Sequence, residues 1–156
     1  MIREALNFDA QDLFGLVSLC FAEYKGCFVD PHDDLANLLQ PENCYRGKGG
    51  GLWVVEDSNA QVCACCGIDF MAQETAELHR LYVRKDSRRQ GLAQKLLNHA
   101  ENYAKQNGAN NLILWSDTRF KTAHEFYIKS GFLKLDYSRV LNDISNSTEY
   151  GFKKML

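Results

Sequence analysis

Apolar and polar residues follow one another along the chain in two periods, one typical of strands and one typical of amphipathic helices. Alternating or continuous apolar runs predict strands over residues 2–6, 52–56, 61–70, 74–83, 111–115, 132–135 and 147–155. Helical spacing predicts helices that start after Asp9 as N-cap, over residues 33–39, from about Gly91 to Gly108, and from Asp117 or Thr118 to Lys129. The glycine-rich stretch 41–51 is predicted to be a flexible loop.

The order of these elements predicts the fold class. Three consecutive strands between residues 52 and 83 favour antiparallel pairing, whereas the strand–helix–strand unit around Gly91 favours a parallel crossover. We therefore expect an α/β protein with a mixed, mostly antiparallel sheet and helices on both faces. A chain of 156 residues is long enough for one domain with its own core, so residues 1–156 are predicted to form a single domain.

Composition excludes several classes of protein. A hydrophobic content of 46% and a charged content of 24% are ordinary for a soluble globular protein, and the net charge of -2 argues against a general nucleic-acid binder. No apolar run reaches membrane-spanning length, and the first residues lack the apolar core of a secretory signal. We expect a cytoplasmic protein that binds neither nucleic acid nor membrane.

Six cysteines raise the alternatives of disulfides or a metal site. Nothing else in the sequence indicates secretion, and the cluster Cys63-Ala64-Cys65-Cys66 lacks the spacing of a zinc site. The preferred interpretation is small buried side chains in a strand, with Cys63 and Cys65 on one face and Cys66 on the other. No metal is predicted.

The strongest chemical signal is a strand that runs into a basic turn and then into a helix at Gly91. The turn carries four basic side chains, Arg84, Lys85, Arg88 and Arg89. Main-chain N–H groups at the start of a helix point in one direction, and the helix dipole favours negative charge there. Gly91 has no Cβ and Ala93 is small, so an anion can approach the main chain closely. This pattern predicts a site for a diphosphate.

Two motifs resemble those of the GCN5-related N-acetyltransferase (GNAT) superfamily. The run Arg88-Arg89-Gln90-Gly91-Leu92-Ala93 is similar to the family's Gln/Arg-x-x-Gly-x-Gly/Ala pattern, and it opens an amphipathic helix after a strand. Residues 123–132 match a second signature, Ala-x-x-x-Tyr-x-x-x-Gly-Phe. Many members carry a cofactor-contacting Asn three residues before that alanine. Here the position is Phe120, so this contact is absent or supplied by Arg119 or Thr118.

The resemblance implies acetyl-CoA as cosubstrate, with no metal, and a primary amine of a small molecule or peptide as acceptor. It implies direct transfer in a ternary complex rather than transfer through a cysteine. The CoA arm would lie between two splayed parallel strands, residues 78–83 and 112–115. The implied cofactor-binding residues are Leu81, Tyr82 and Val83 on the strand, and Arg88, Arg89, Gln90, Gly91, Leu92 and Ala93 at the turn.

The resemblance also suggests catalytic residues. Glu77 is the first candidate for the base that deprotonates the amine, and His79, on the same strand face, or a water chain is the alternative. Tyr127 is the candidate acid that protonates the departing CoA thiolate. Each residue also has a structural interpretation, in which Glu77 pairs with a cation and Tyr127 packs in the core.

Acceptor preference in this family comes mostly from segments that correspond here to residues 21–50 and 135–148. The first segment carries acidic residues that suit a cationic amine but fit a solvated loop equally well: Glu23, Asp30, Asp33, Asp34 and Glu42. It also carries aromatic residues that would either line the pocket or pack on the sheet: Tyr24, Phe28 and Tyr45.

Two other functions remain open, a non-catalytic acyl-CoA-binding regulatory module and a diphosphate-nucleotide binder unrelated to acyl transfer. A homodimer that pairs residues 149–155 across a sheet edge is also an open expectation.

Overall fold

The computed structural model of the chain describes residues 1–30, 32, 34–71 and 74–156. Its strands are β1 (Ile2–Glu4), β2 (Gly51–Glu56), β3 (Val62–Phe70), β4 (Thr75–Val83), β5 (Asn111–Asp117), β6 (Leu133–Val140) and β7 (Thr148–Met155). Its α-helices are α1 (Ala10–Ala22), α2 (Asp34–Leu39), α3 (Pro41–Tyr45), α4 (Leu92–Gln106) and α5 (Lys121–Lys129).

The described strands form one seven-stranded sheet in the order β1-β2-β3-β4-β5-β7-β6. The central pair, β4 and β5, is parallel, and every other neighbouring pair is antiparallel. The parallel pair is connected through α4, as a crossover requires. The prediction of a mixed, mostly antiparallel sheet is confirmed.

Two apolar clusters hold the helices against opposite faces of the sheet. The larger one packs α4 residues Leu96, Leu97 and Ala100 against the central strands. The smaller one packs α1 residues Leu13, Leu16 and Val17 against β2 and β3. The helices therefore cover both faces, as predicted, and the sheet between them positions the functional site.

The prediction of a flexible loop over residues 41–51 is wrong. Pro41 begins helix α3, where a missing N–H costs nothing, and a 3-10 turn at Arg46–Lys48 follows. Tyr45 is buried in the smaller cluster, so tertiary packing orders the segment despite its glycines.

The predicted helix starts after Asp9 and near Gly91 are confirmed, but neither helix has a side-chain cap. The Asp9 carboxylate does not cap α1, because it accepts hydrogen bonds from the Leu6 N–H (2.7 Å) and from Arg3. Helix α4 begins at Leu92 and no earlier, since Ser87 ends a 3-10 turn and donates its hydroxyl to Asp86.

The cysteines are free thiols and most are buried, in agreement with the preferred interpretation. Their predicted faces are wrong, however: Cys63 and Cys66 lie in the larger cluster and Cys65 in the smaller one. A register shift between β2 and β3 beside Cys63 explains the difference, because it breaks the alternation of side chains. Within the described ranges, no group of His, Cys, Asp and Glu side chains is arranged to hold a metal ion.

The C-terminal strand cannot pair with a second chain across an edge as expected. β7 lies between β5 and β6 and is hydrogen-bonded on both sides, so residues 149–155 are interior to the sheet. On this side of the sheet the edge strand is β6. Separately, no helix in the described part of the chain is long and apolar enough to cross a membrane.

Candidate active site

The site begins where β4 and β5 separate. Their pairing runs from Thr75 with Asn111 to Leu78 with Leu114 and then stops, although both strands continue. A bulge in β4 accompanies the separation, because the register with β3 shifts between Cys65 and Gly67. At this bulge Arg80 takes a left-handed conformation with φ of 55°, which a non-glycine residue rarely adopts.

The bulge is held by hydrogen bonds on the β3 side. The Cys65 thiol donates to the Arg80 carbonyl at 3.0 Å, and the Arg84 N–H donates to the Cys63 carbonyl at 2.8 Å. Because main-chain groups alternate in direction along a strand, those of Leu81 and Val83 face the opening toward β5. The end of β4 therefore presents the peptide groups of Leu81 and the N–H of Val83 to an extended ligand, whereas the Val83 carbonyl already accepts a hydrogen bond from Arg88.

The turn before α4 presents a row of main-chain donors. Arg89 and Gly91 both have positive φ, 63° and 74°. The first helical main-chain bond runs from the Lys95 N–H to the Gly91 carbonyl. Among the described residues, no group accepts a hydrogen bond from the N–H groups of Arg89, Gln90, Gly91, Leu92 or Ala93. This arrangement suits an anion with several oxygen atoms.

The basic side chains contribute less positive charge than the sequence suggests. Arg84 is paired with Asp57 at 2.6 Å and with Asp86 at 2.8 Å. The Arg88 guanidinium is bound by both carboxylate oxygens of Glu23, and its Nε donates to the Val83 carbonyl at 2.9 Å. The ion pair between Arg88 and Glu23 therefore connects the turn with the end of α1. Arg89 has no carboxylate partner among the described residues.

A cavity of about 930 Å³ connects this turn with the gap between the strands. It is lined by eleven of the candidate site residues: Glu77, His79, Leu81, Tyr82, Val83, Arg88, Arg89, Gly91, Leu92, Ala93 and Tyr127. The structure thus brings together candidate residues from Glu77 to Tyr127, about a third of the sequence. Gln90 belongs to the turn but is not among the lining residues.

Tyr127 lies on α5 at the wall of this cavity. The residue is 7% exposed, and its ring contacts those of Phe126, Phe132 and Phe152 with centroids 5.7 Å apart in each case. Burial, and to a smaller extent the nearby Cys66, raises the pKa of the Tyr127 phenol well above its ordinary value. The phenol therefore keeps its proton at physiological pH.

Glu77 and His79 of β4 lie across the gap between the strands from Tyr127. The His79 Nε2 is 3.8 Å from a Glu77 carboxylate oxygen and 3.4 Å from Asp69 Oδ2. Within the described residues, neither Arg nor Lys pairs with Glu77. The cation partner that the structural interpretation of Glu77 requires could therefore only be His79.

The acceptor side of the cavity contains some of the acidic and aromatic residues expected there. Glu23, Asp30, Asp34, Tyr24 and Phe28 line it. Glu42 and Tyr45 do not: Glu42 accepts a hydrogen bond from the Asn7 N–H, and Tyr45 is a core residue. Asp33 lies outside the described residues.

Phe120 is part of an aromatic wall rather than a polar contact. Its ring centroid is 4.7 Å from that of Tyr24 and 5.9 Å from that of Phe21. Arg119 does not replace the polar group, because its guanidinium is bound by Asp117 at 2.7 Å and 2.8 Å.

Sequence reasoning missed one cavity-lining residue, Arg80, and the position of Asp69 beside His79. Arg80 lines the cavity and pairs with Asp34 of α2 at 2.6 Å. A signal for its bulge was present: Ala76 and Leu78 are two residues apart, but Leu78 and Leu81 are three apart, which breaks the alternation of a regular strand. No sequence signal places Asp69 beside His79, since the contact depends on the β3–β4 register.

Comparison with known proteins identifies the family. The sequence profile of the Acetyltransferase (GNAT) family matches residues 17–132. The chain therefore belongs to this family, which places it among the acyltransferases.

Individual relatives agree with this assignment. An uncharacterized N-acetyltransferase of Methanocaldococcus jannaschii is 38% identical over 87 residues, a match that covers 53% of this chain and 38% of that protein. The match thus spans well under half the length of that curated relative.

Solved structures share the whole fold. A GNAT-family acetyltransferase of Staphylococcus aureus Mu50 superposes with a TM-score of 0.85 at 19% identity, over 100% of this chain and 98% of the other. The PaiA N-acetyltransferase of Thermoplasma acidophilum, solved in complex with coenzyme A, gives a TM-score of 0.72 at 17% identity, over 100% and 98% of the two chains.

Proposed function

We propose that the protein is an N-acetyltransferase that moves an acetyl group from acetyl-CoA directly to a primary amine in a ternary complex. The observation that carries the proposal is the row of five unsatisfied main-chain N–H groups at residues 89–93, which opens into the gap between β4 and β5. Family membership supports acetyl transfer in general.

The residues present fit acetyl-CoA. The N–H groups at the head of α4 would hold its diphosphate, and a Cβ added at Gly91 would meet no protein atom within 4 Å, so that corner is open. The N–H groups of Leu81 and Val83 and the carbonyl of Leu81 would bond to the extended arm as a neighbouring strand does. When bound, acetyl-CoA supplies an activated acetyl group as a thioester.

Residues on the two sides of the gap would divide the proton transfers. An alkyl amine has a pKa of about 10 and must lose a proton before it attacks. Glu77 is the first candidate to receive that proton, and His79 is the alternative. The Tyr127 phenol, kept protonated by burial, would donate to the sulfur as the thiol departs. A main-chain N–H of β4 would polarise the thioester carbonyl.

The acceptor is proposed to be a small molecule or peptide that carries a cationic amine. Carboxylates of Glu77, Asp30 and Asp143 line the cavity without an Arg or Lys partner among the described residues. Tyr24, Phe28 and Phe120 add an aromatic wall on the same side.

The test is a panel of amines assayed by the release of free thiol from acetyl-CoA, together with calorimetric titrations of acetyl-CoA, ATP and NAD. We expect binding of acetyl-CoA alone among the three ligands, and turnover with at least one amine. Binding without turnover across the panel would favour the non-catalytic acyl-CoA-binding module. Binding of ATP or NAD in preference to acetyl-CoA would contradict the proposal.

A further inference from the structure

Three titratable side chains lie beside one another on the sheet face that α1 and α3 cover. Asp69 of β3 is directly opposite Glu77 of β4, and His79 is opposite Gly67. The His79 Nε2 lies 3.4 Å from Asp69 Oδ2 and 3.8 Å from Glu77 Oε2. A single ring nitrogen therefore faces both carboxylates.

The three side chains form a path from the cavity to the surface. Glu77 and His79 line the cavity, whereas Asp69 is not among the lining residues. The exposed fraction rises along the path, from 14% for the Glu77 side chain to 33% for His79 and 36% for Asp69. A proton that leaves the cavity through these groups would reach solvent at Asp69.

The chain at Gly50 covers one carboxylate oxygen of Asp69. Its Oδ1 is buried without a hydrogen-bond partner among the described groups. A Cβ at Gly50 would lie 3.1 Å from this oxygen and 2.2 Å from the Ile68 carbonyl, so a glycine is needed above it. The other oxygen, Oδ2, faces the His79 Nε2 at 3.4 Å, so the histidine is the polar neighbour of this carboxylate.

The other charged or titratable groups on this face do not compete for the histidine. The Arg80 charge is balanced by Asp34 at 2.6 Å. Tyr45 packs on Gly67, and burial raises the pKa of its phenol to about 12, so it stays neutral. Lys153 of β7 lies on the same face, but β5 separates it from β4, since its register partner on β5 is Ile113.

We infer that Asp69 is a positioning residue for the deprotonation of the acceptor amine, acting through His79. The inference rests on the proposed function. The ammonium group of the acceptor gives its proton to the Glu77 carboxylate, which becomes a carboxylic acid. The acid passes the proton to Nε2 of neutral His79, and the Asp69 carboxylate stabilises the resulting imidazolium. Asp69 then takes the proton and releases it to solvent, which restores all three groups.

The test compares Asp69→Asn, His79→Gln and the double variant by the pH profile of kcat/KM for the amine at saturating acetyl-CoA. Asp136→Asn, an exposed aspartate on the edge strand β6, is the matched control. In Asp69→Asn we expect kcat/KM at neutral pH to fall about tenfold. The shape of the pH profile should differ from that of the control, since the carboxylate that faces the His79 Nε2 is gone. The dissociation constant of CoA and the thermal unfolding temperature should stay within error of the control.

The double variant separates a role through His79 from an independent one. If Asp69 acts through the histidine, Asp69→Asn should change kcat/KM less than twofold when His79 is already Gln. Asp69→Asn with the pH profile of the control, or an equal loss in both backgrounds, would overturn the inference. So would a loss explained by weaker CoA binding or lower stability. Absence of turnover in the unmodified protein with every amine would instead reject the proposed function.

Discussion

Replacing Tyr127 with Phe removes one hydroxyl group from the wall of the cavity. The ring contacts with Phe126, Phe132 and Phe152 depend on the aromatic ring and are retained in the variant. We therefore expect the free energy of unfolding to change by no more than about 1 kcal/mol. The perturbation is confined to the proton that the phenol would donate.

The expected loss of turnover is large. General acid catalysis contributes about 10² to 10⁴ in rate, so kcat should fall by about a hundredfold or more, which corresponds to roughly 2.7 kcal/mol in the activation barrier. Because the pKa of the phenol is raised by burial, its acid form persists across the usual assay range. The unmodified protein should then show no decline of kcat caused by Tyr127 between pH 7 and about pH 10.

The assay is steady-state release of thiol from acetyl-CoA with a saturating amine, and calorimetry with CoA measures binding separately. Tyr137→Phe is the control, because Tyr137 is 61% exposed on β6 and is not among the cavity-lining residues. The control should keep full activity, and both variants should keep the CoA dissociation constant. Unchanged turnover in Tyr127→Phe would remove Tyr127 from the mechanism, and a matching loss of CoA binding would assign it to binding instead.

Three further predictions concern the turn and the core. Gly91→Ala places a side chain on a residue with φ of 74°, so the free energy of unfolding should fall by about 1 kcal/mol and CoA binding in calorimetry should weaken. The control, Gly15→Ala inside α1, should be neutral or stabilising, and equal effects of the two substitutions would refute this reasoning. Glu23→Gln frees the Arg88 charge and should tighten acetyl-CoA binding severalfold with a steeper salt dependence; weaker binding would show that the pair is needed to shape the site. Burial raises the pKa of Tyr45 to about 12, so between pH 10 and 12 the free energy of unfolding in urea titrations should fall less steeply in Tyr45→Phe than in the unmodified protein, by roughly 1.4 kcal/mol per pH unit; equal slopes in the two proteins would contradict its burial.

The sequence alone predicted the local features of this structure. Apolar periodicity located all seven strands to within a few residues, apart from the length of β6, because each side chain reports which face of its own element is buried. The turn before α4 was also readable, since a small residue at a helix start and a preceding strand are local features. Residues 41–51 were misread because their glycines favour a loop, and only the burial of Tyr45 against the sheet shows that the segment is ordered.

Contacts between distant residues were decided by the tertiary structure. Three contacts join residues that are too far apart in the sequence for any local period to connect them: Arg88 with Glu23, Arg80 with Asp34, and Asp69 with His79. The Arg80 pair lies at the bulge in β4, where the sheet opens beside β5, and Asp69 meets His79 through the regular register between β3 and β4. Local side-chain chemistry thus determined which elements form and which turn leaves its main-chain N–H groups unpaired among the described residues. The register between strands, fixed by packing across the whole sheet, determined which charges meet in the cavity.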